Sequence, residues 1–121
     1  MDGLNYPGKP TSPFRFESPV ELGYGVNVFA DVEIGAHSYM NSGWIRERVT
    51  IGRFCSIAYN VTIGAPSHAI HLLSTHPFAT KSGYDSSHES PFLHEPNNWR
   101  KRTIIGNDVW IAQGVTVLQG V

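Results

Sequence analysis

"IRERVTIGRFCSIAYNVTIGA", residues 45–65, repeats a pattern of six residues. An isoleucine opens each unit, and a valine or a cysteine takes the fifth place. A helix would space its apolar residues about 3.6 apart, and a chain of hairpins would show turns about every 8–12 residues. Neither fits a fixed period of six. Short, constant self-similarity is typical of a solenoid, and six-residue units predict a parallel β-helix.

The six-residue pattern continues before and after this stretch, and its first and fifth positions predict which residues form the core. Units open with aliphatic residues or methionine at Leu22, Val28, Ile34, Met40, Ile45, Ile51, Ile57, Ile63, Ile105, Ile111 and Val117. The unit at Met40 is one residue short, which places Trp44 at a fifth position and indicates a local distortion there. We expect the first and fifth residues to point inward, with Cys55 as a small core residue. The predicted buried valines are Val26, Val32, Val61, Val109 and Val115.

The fourth positions predict how the chain turns. Residues that enter the left-handed backbone region at low cost recur there. Histidine is also enriched at positive φ, and His37 fills the same slot. Three such corners per coil predict a triangular prism whose coils pair as parallel strands. The corner residues are Gly25, Asp31, Gly43, Asn60, Asp108, Gly114 and Gly120.

One long loop interrupts the repeat, over residues 67–100 approximately. Pro66 fills a corner slot, and its locked negative φ excludes a left-handed corner. The repeat resumes in phase at Ile105. Long insertions in compact domains are usually functional or disordered, and the aromatic residues of this one argue against a disordered linker. It brings together His68, His71 and His76. We expect residues 1–19, rich in proline, to form an irregular arm held by Phe14 and Phe16, and residues 20–121 to form the β-helix domain.

Composition excludes several classes of function. The net charge is −1 with dispersed basic residues, so we expect no nucleic-acid partner. No apolar run reaches the length of a membrane span, and the N-terminus lacks the apolar core of a signal peptide, so we expect a cytoplasmic protein without a membrane partner. The sequence stops at Val121 within a coil. Since an open coil exposes core side chains, we expect a truncated chain or a cap from elsewhere.

The hexapeptide units, the loop opening with His68, the segment STHPF (residues 74–78) and the return IIGNDVWIAQGVTVLQGV (residues 104–121) together resemble the hexapeptide acyltransferases. The resemblance is strongest to the xenobiotic acetyltransferase group, which includes streptogramin and chloramphenicol O-acetyltransferases, and extends to related bacterial sugar and polysaccharide O-acetyltransferases. It implies a left-handed β-helix and a homotrimer with active sites between subunits. It also implies transfer of an acetyl group from acetyl-CoA to a hydroxyl of a small molecule or saccharide.

The resemblance also implies roles for individual residues. The position of the general base falls on His68. Trp110 and the backbone of Ala112 fall where the family borders the thioester of CoA, and an N–H there would stabilise developing negative charge on oxygen. Tyr39 and Asn41 match the region of the acceptor pocket. The chemistry itself supports the choice of histidine, because a base that acts near pH 7 must be neutral there.

Three alternatives stay open. His68 can be read as a loop histidine that only bonds a backbone carbonyl. His68, His71 and His76 together read as zinc ligands, as in the trimeric γ-type carbonic anhydrases. Those enzymes place their ligands on the repeat faces, whereas this cluster lies in a loop, so we expect no metal site. The third alternative is a non-catalytic β-helix for oligomerisation or saccharide binding.

Overall fold

The computed structural model describes residues 3–68, 70, 73–76 and 101–121. Within these ranges every regular element is a β-strand, so the predicted all-β class is confirmed. The strands are β1 (Leu4–Asn5), β2 (Arg15–Phe16), β3 (Val20–Val28), β4 (Val32–Ile34), β5 (Tyr39–Ile45), β6 (Val49–Ile51), β7 (Ser56–Ile57), β8 (Val61–Ala65), β9 (Thr103–Ile105), β10 (Trp110–Ile111) and β11 (Thr116–Leu118).

The strands pair in parallel and form three columns. Column one contains β1, the first part of β3, the first part of β5, β7 and β10. Column two contains the later parts of β3 and β5, followed by β8 and β11. Column three contains β2, β4, β6 and β9. Strands β3 and β5 each bend from column one into column two, which explains their greater length.

The register shows how the columns arise from the repeat. Glu21 pairs with Tyr39, which is 18 residues later, and Tyr39 pairs with Ser56 after a further 17. Each coil therefore takes three six-residue units, less one residue where the unit at Met40 is short. Ser56 then pairs with Trp110 across the loop. The chain thus rejoins the columns in register, and the pairing is consistent with a β-helix.

The core lies inside the three columns and consists of the first and fifth residues of the units. Val26, Val32 and Val61 are at most 2% exposed, and Cys55 is buried, as predicted. Burying one such aliphatic side chain contributes about 1.5–3 kcal/mol. The prediction for Val115 is wrong, because 38% of this residue is exposed. It lies in the coil of β10 and β11, which no other coil among the described residues covers, and Val109 of the same coil is only partly buried.

The corners adopt left-handed backbone at most of the predicted positions, including Asp31, His37 and Asn60, with φ between 55° and 65°. Two bulky residues do the same: Arg48 and Phe54, both at φ 59°. Such residues lose about 1–2 kcal/mol in this conformation. Hydrogen bonds to the preceding coil hold them there, from Arg48 N–H to the Ala30 carbonyl and from Phe54 N–H to the Ala36 carbonyl.

Two predicted corners differ in the structure. Gly25 lies inside β3, where it pairs with Ser42. Gly43 pairs with Val26 and Val61, so it takes the inward position that the sequence assigned to Trp44. A Cβ atom on Gly43 would lie 1.9 Å from the Val61 carbonyl oxygen. The residue that the unit at Met40 lacks is therefore missing before Gly43, so that Gly43 is the fifth-position residue. The prediction of an inward Trp44 is wrong.

The N-terminal arm attaches to the edge of the columns. Within the described part of the chain, its two short strands, β1 and β2, each pair with one neighbour. Phe14 and Phe16 are partly buried against the core with their ring centroids 5.9 Å apart. These contacts support the expectation that the two phenylalanines hold the arm.

Candidate functional site

His68 lies three residues beyond the end of β8, and its side chain is exposed. Its Nδ1 atom is 2.8 Å from the backbone carbonyl oxygen of Thr75. A carbonyl oxygen only accepts hydrogen bonds, so Nδ1 must carry the proton in this contact. In the neutral imidazole, the lone pair then belongs to Nε2. The histidine is therefore oriented with a proton-accepting nitrogen directed away from its backbone partner.

A short turn supplies that carbonyl. The N–H of His76 donates a hydrogen bond to Oγ of Ser74 at 3.1 Å, and this bond spans Thr75. Ser74 is partly buried, whereas Thr75 and His76 are exposed. The segment STHPF stands out in the sequence as part of a motif, and the structure shows what its first three residues do. They form the turn that contacts His68.

The scaffold fixes both ends of the loop. On the outgoing side, the Ala65 carbonyl accepts a hydrogen bond from Gln119 N–H at 2.9 Å. On the returning side, Arg102 forms an ion pair with Asp31 at 2.5 Å and donates to Oγ1 of Thr50 at 3.2 Å. Rigid attachment favours precise placement of a reacting group. Ala65 lies three residues before His68, so this anchor restrains the histidine most directly.

An aromatic cluster lies beside the outgoing end of the loop. The rings of Phe29 and Trp44 stack with centroids 5.6 Å apart, and the guanidinium carbon of Arg46 lies 4.3 Å from the Phe29 centroid. Arg46 N–H donates to the Ile63 carbonyl on the next coil. The repeat pattern did not predict this cluster, because it assigns Trp44 to an inward position. The sequence signal for the displaced Trp44 was the unit at Met40, which is one residue short.

Tyr39 and Trp110 lie in one outward row of column one. Ser56 pairs with both of them, so Tyr39 and Trp110 are two strand spacings apart, roughly 10 Å. Trp110 is 79% exposed and Tyr39 is 42% exposed, so both side chains point outward. The structure therefore brings together one predicted donor-site residue and one predicted acceptor-site residue.

Asn41 and Ala112 occupy other places on the same side. Asn41 lies where β5 passes from column one to column two, and its carbonyl oxygen packs closely against Gly23. Ala112 directly follows β10 and is exposed. Its carbonyl is the acceptor of a long 3.4 Å hydrogen bond from Val115 N–H. Both residues thus lie next to the row of Tyr39 and Trp110.

His68 lies apart from that row within one chain. It follows column two, whereas Tyr39 and Trp110 stand at the beginning of column one. As the chain runs round a coil, column three lies between the end of column two, which His68 follows, and the start of column one, where Tyr39 and Trp110 lie. The predicted site residues therefore form two groups on different sides of the three columns.

A groove of about 550 Å³ runs along column three, and the repeat pattern did not predict it. Gly35 and Gly52 are among its lining residues, and a Cβ atom on either would meet the backbone of the next coil at about 2.5 Å. Two ion pairs border the groove, Arg15 with Glu33 and Arg53 with Glu17. The Arg53 side chain lowers the pKa of Glu17 through their hydrogen bonds, and Glu17 raises the pKa of Arg53 in turn.

The zinc alternative combines His68 and His76, which the structure describes, with His71, which it does not. His71 lies outside the described residues, as do His88 and His94. Among the residues that the structure describes, no group of three or more histidine, cysteine, aspartate or glutamate side chains is placed to hold a metal ion. The described part of the chain also contains no helix long and apolar enough to cross a membrane.

Comparison with known proteins gives one informative similarity. Over 80 residues the chain is 35% identical to a protein of Lysinibacillus sphaericus named "Probable macrolide acetyltransferase". The match covers 64% of this chain and 43% of the relative, so the chain spans less than half the length of that relative. No protein-family model and no solved structure matches the chain.

Proposed function

We propose that this chain belongs to an acetyl-CoA-dependent O-acetyltransferase built on a left-handed, hexapeptide-repeat β-helix, with His68 as general base. The observation that carries the proposal is the orientation of the imidazole, since Nδ1 bonds the Thr75 carbonyl and leaves the Nε2 lone pair available. The name of the relative supports an acetyltransferase activity. The three columns and their left-handed corners support the β-helix.

In this mechanism His68 moves one proton. Its Nε2 accepts the proton of the acceptor hydroxyl as the oxygen attacks the acyl carbon. The Thr75 carbonyl stabilises the resulting imidazolium through the Nδ1–H hydrogen bond. Acetyl-CoA would supply the acetyl group as a thioester: the C–S bond breaks as the C–O ester bond forms, and the imidazolium returns its proton to the leaving thiolate. Trp110 and the backbone at Ala112 are the residues that would border the donor, and Tyr39 and Asn41 would border the acceptor.

The separation of the two residue groups supports an active site between subunits. Within one chain, His68 and the Tyr39–Trp110 row lie on different sides of the columns. In a cyclic homotrimer, one side of each subunit meets a different side of its neighbour. His68 of one subunit would then face Tyr39 and Trp110 of the next. The homotrimer is therefore part of the proposal.

The test is an assay of thiol release from acetyl-CoA with the full-length natural protein. The acceptor panel contains a macrolide, as the relative's name suggests, together with a streptogramin, chloramphenicol, nucleotide sugars and a polysaccharide. We expect acceptor-dependent thiol release with at least one of them. Failure with every acceptor, together with no binding of acetyl-CoA, would contradict the proposal.

A second candidate is saccharide binding without catalysis. The exposed Tyr39 and Trp110, in one row with Ser56 between them, favour it because sugar rings pack on exposed aromatic faces. The same panel separates the two functions. Saccharide binding that persists without any thiol release would favour the binding module.

A further inference from the structure

We infer that Ser74 is a positioning residue that selects the proton-accepting nitrogen of His68. This inference rests on the proposed function, in which Nε2 of His68 is the base. Ser74 does not contact the imidazole. It acts through the peptide group between Thr75 and His76, whose C=O end bonds His68 and whose N–H end bonds Ser74.

The geometry of a trans peptide links the two bonds. Among the described residues the cis peptide bond is the one between Ser18 and Pro19, so the Thr75–His76 peptide is trans. In a trans peptide the C=O and the N–H lie in one plane and point in opposite directions. The Ser74 hydroxyl oxygen binds the N–H end at 3.1 Å. The C=O end is thereby aimed the opposite way, and His68 Nδ1 lies there at 2.8 Å.

The direction of this carbonyl decides which tautomer of His68 is favoured. A carbonyl beside Nδ1 favours the form with the proton on Nδ1, because the oxygen can only accept. When the carbonyl rotates away, that preference is lost, and the form with the proton on Nε2 becomes populated. The Nε2–H form has no lone pair at the nitrogen that would take the acceptor's proton. The Ser74 hydroxyl therefore controls the fraction of the enzyme that is ready to react.

The substitution Ser74→Ala removes the hydroxyl and leaves the backbone intact. In the full-length protein we expect kcat to fall by about 5- to 50-fold, less than for loss of the imidazole, with KM for acetyl-CoA changed less than about two-fold. Ser74→Thr keeps a hydroxyl in the same place and should restore most of the rate. Ser67→Ala removes an exposed hydroxyl adjacent to His68 and should leave kcat unchanged.

The second readout does not depend on activity. Nitrogen-15 NMR of histidine-labelled protein, at a pH where imidazoles are neutral, distinguishes a protonated ring nitrogen from an unprotonated one. The His68 signals are assigned by their loss in His68→Gln. We expect a protonated Nδ1 in the wild type and in Ser74→Thr, and a shift toward protonated Nε2 in Ser74→Ala.

The two readouts separate failure of this inference from failure of the proposed function. A Ser74→Ala protein with unchanged tautomer signals would overturn the positioning role, whatever its rate. A tautomer shift in Ser74→Ala, combined with a fully active His68→Ala enzyme, would confirm that Ser74 positions His68 and would reject His68 as the base. A fall in kcat that Ser74→Thr does not restore would also count against the role of the hydroxyl.

Discussion

At the residue scale, the two ring nitrogens of His68 differ, because Nδ1 bonds the Thr75 carbonyl. This difference supports the role of general base more strongly than the mere presence of a histidine in the loop. A histidine that merely bonds a carbonyl is the simpler interpretation, and the structure does contain that bond. The bond is also what a general base requires, because it fixes the ring and keeps the proton on Nδ1 rather than on Nε2. Both interpretations, a structural hydrogen bond and a positioned general base, rest on this one contact. Only a substitution of His68 can distinguish between them.

His68→Ala should lower kcat by about 10²–10⁴-fold while KM for acetyl-CoA stays nearly unchanged, because the change removes a proton acceptor and no donor contact. In the wild type the rate should also fall toward acid, as a protonated imidazole cannot accept a proton. Steady-state kinetics over a pH series measure both effects. His76→Ala is the comparison, and we expect a smaller loss. A His68→Ala enzyme with normal kcat and an unchanged acid limb would reject the assignment.

The sequence predicted His68 but could not predict its partner. The pattern of repeats marks where the scaffold ends and the loop begins, and His68 lies at that boundary. The Thr75 carbonyl is a backbone group that every residue possesses, so no residue type signals it. The hydroxyl of Ser74 is visible in the sequence, but its link to His68 depends on the direction of a peptide group. Only the three-dimensional structure contains that direction.

At the scale of elements, a ladder of glycines allows the coils of column three to approach closely. A Cβ atom on Gly52 would lie 2.5 Å from the Gly106 carbonyl oxygen, whereas a Cβ atom on Gly106 would meet nothing within 4 Å. Neither glycine has the positive φ that side chains avoid, so the comparison isolates the steric effect. Gly52→Ala should therefore destabilise the 121-residue chain by about 1–3 kcal/mol. Gly106→Ala should change stability by less than about 0.5 kcal/mol.

Denaturant unfolding of both variants measures this difference. The two substitutions are chemically identical and lie at equivalent positions on neighbouring coils, which makes Gly106→Ala the matched control. Equal stability of the two variants would mean that the coils of column three lie farther apart in solution than in the structure. A larger loss in Gly106→Ala would contradict the register of β6 with β9.

The bond between Glu17 and Arg53 joins the N-terminal arm to a corner two coils away, through contacts of 2.6 and 2.9 Å. Because hydrogen bonds from Arg53 lower the pKa of Glu17 below its ordinary value of 4.5, the ionised carboxylate stabilises the folded state. This contribution is present above the ordinary pKa and is lost as the pH falls through the lowered one. We expect it to be small, since both groups are exposed.

The Tm of wild type should exceed that of Glu17→Gln at pH 7, and the difference should vanish at a pH well below 4.5. Thermal unfolding at several pH values measures it. Glu21→Gln changes the same kind of charge on β3 and serves as the control. A difference that grows toward acid would mean that the ionised Glu17 carboxylate destabilises the folded state, which is the opposite of the expected effect.

Elements were predictable where the repeat is regular. The inward positions of β4, β6 and β8 follow from the first and fifth residues, and the structure buries them. The corners at Arg48 and Phe54 were not predictable from residue type, because both side chains disfavour positive φ. Their position in the repeat does indicate a corner, so the period is a stronger signal than the local propensity. The repeat predicted the wrong orientation for Trp44, because one residue missing from its unit changes which position points inward.

At the scale of the whole molecule, the proposed active site requires more than one chain. Its predicted catalytic and binding groups lie on different sides of the three columns of one chain. A homotrimer would bring the two groups together. Sedimentation of the full-length protein at micromolar concentration should show a trimer, and a stable monomer with full activity would contradict a site between subunits.

Mixed trimers test the same arrangement through activity. We expect Tyr39→Ala/Trp110→Ala to be strongly impaired, as His68→Ala is. When the two inactive proteins are unfolded together, mixed in equal amounts and refolded, subunits should combine at random. A complete site needs His68 from one variant and the aromatic row from the other, so about a quarter of the sites should be intact. We therefore expect about a quarter of the activity of refolded wild type.

Mixing His68→Ala with His68→Gln is the control, and it should restore nothing, because no subunit then carries the histidine. If each site were formed by a single chain, the first mixture would also stay inactive, since every chain lacks one part of its own site. Recovered activity in the first mixture alone would thus place His68 of one subunit against Tyr39 and Trp110 of its neighbour. Mixed trimers without activity would argue for a site within one chain, and the cluster of Phe29, Trp44 and Arg46 would then be tested next for donor and acceptor contacts.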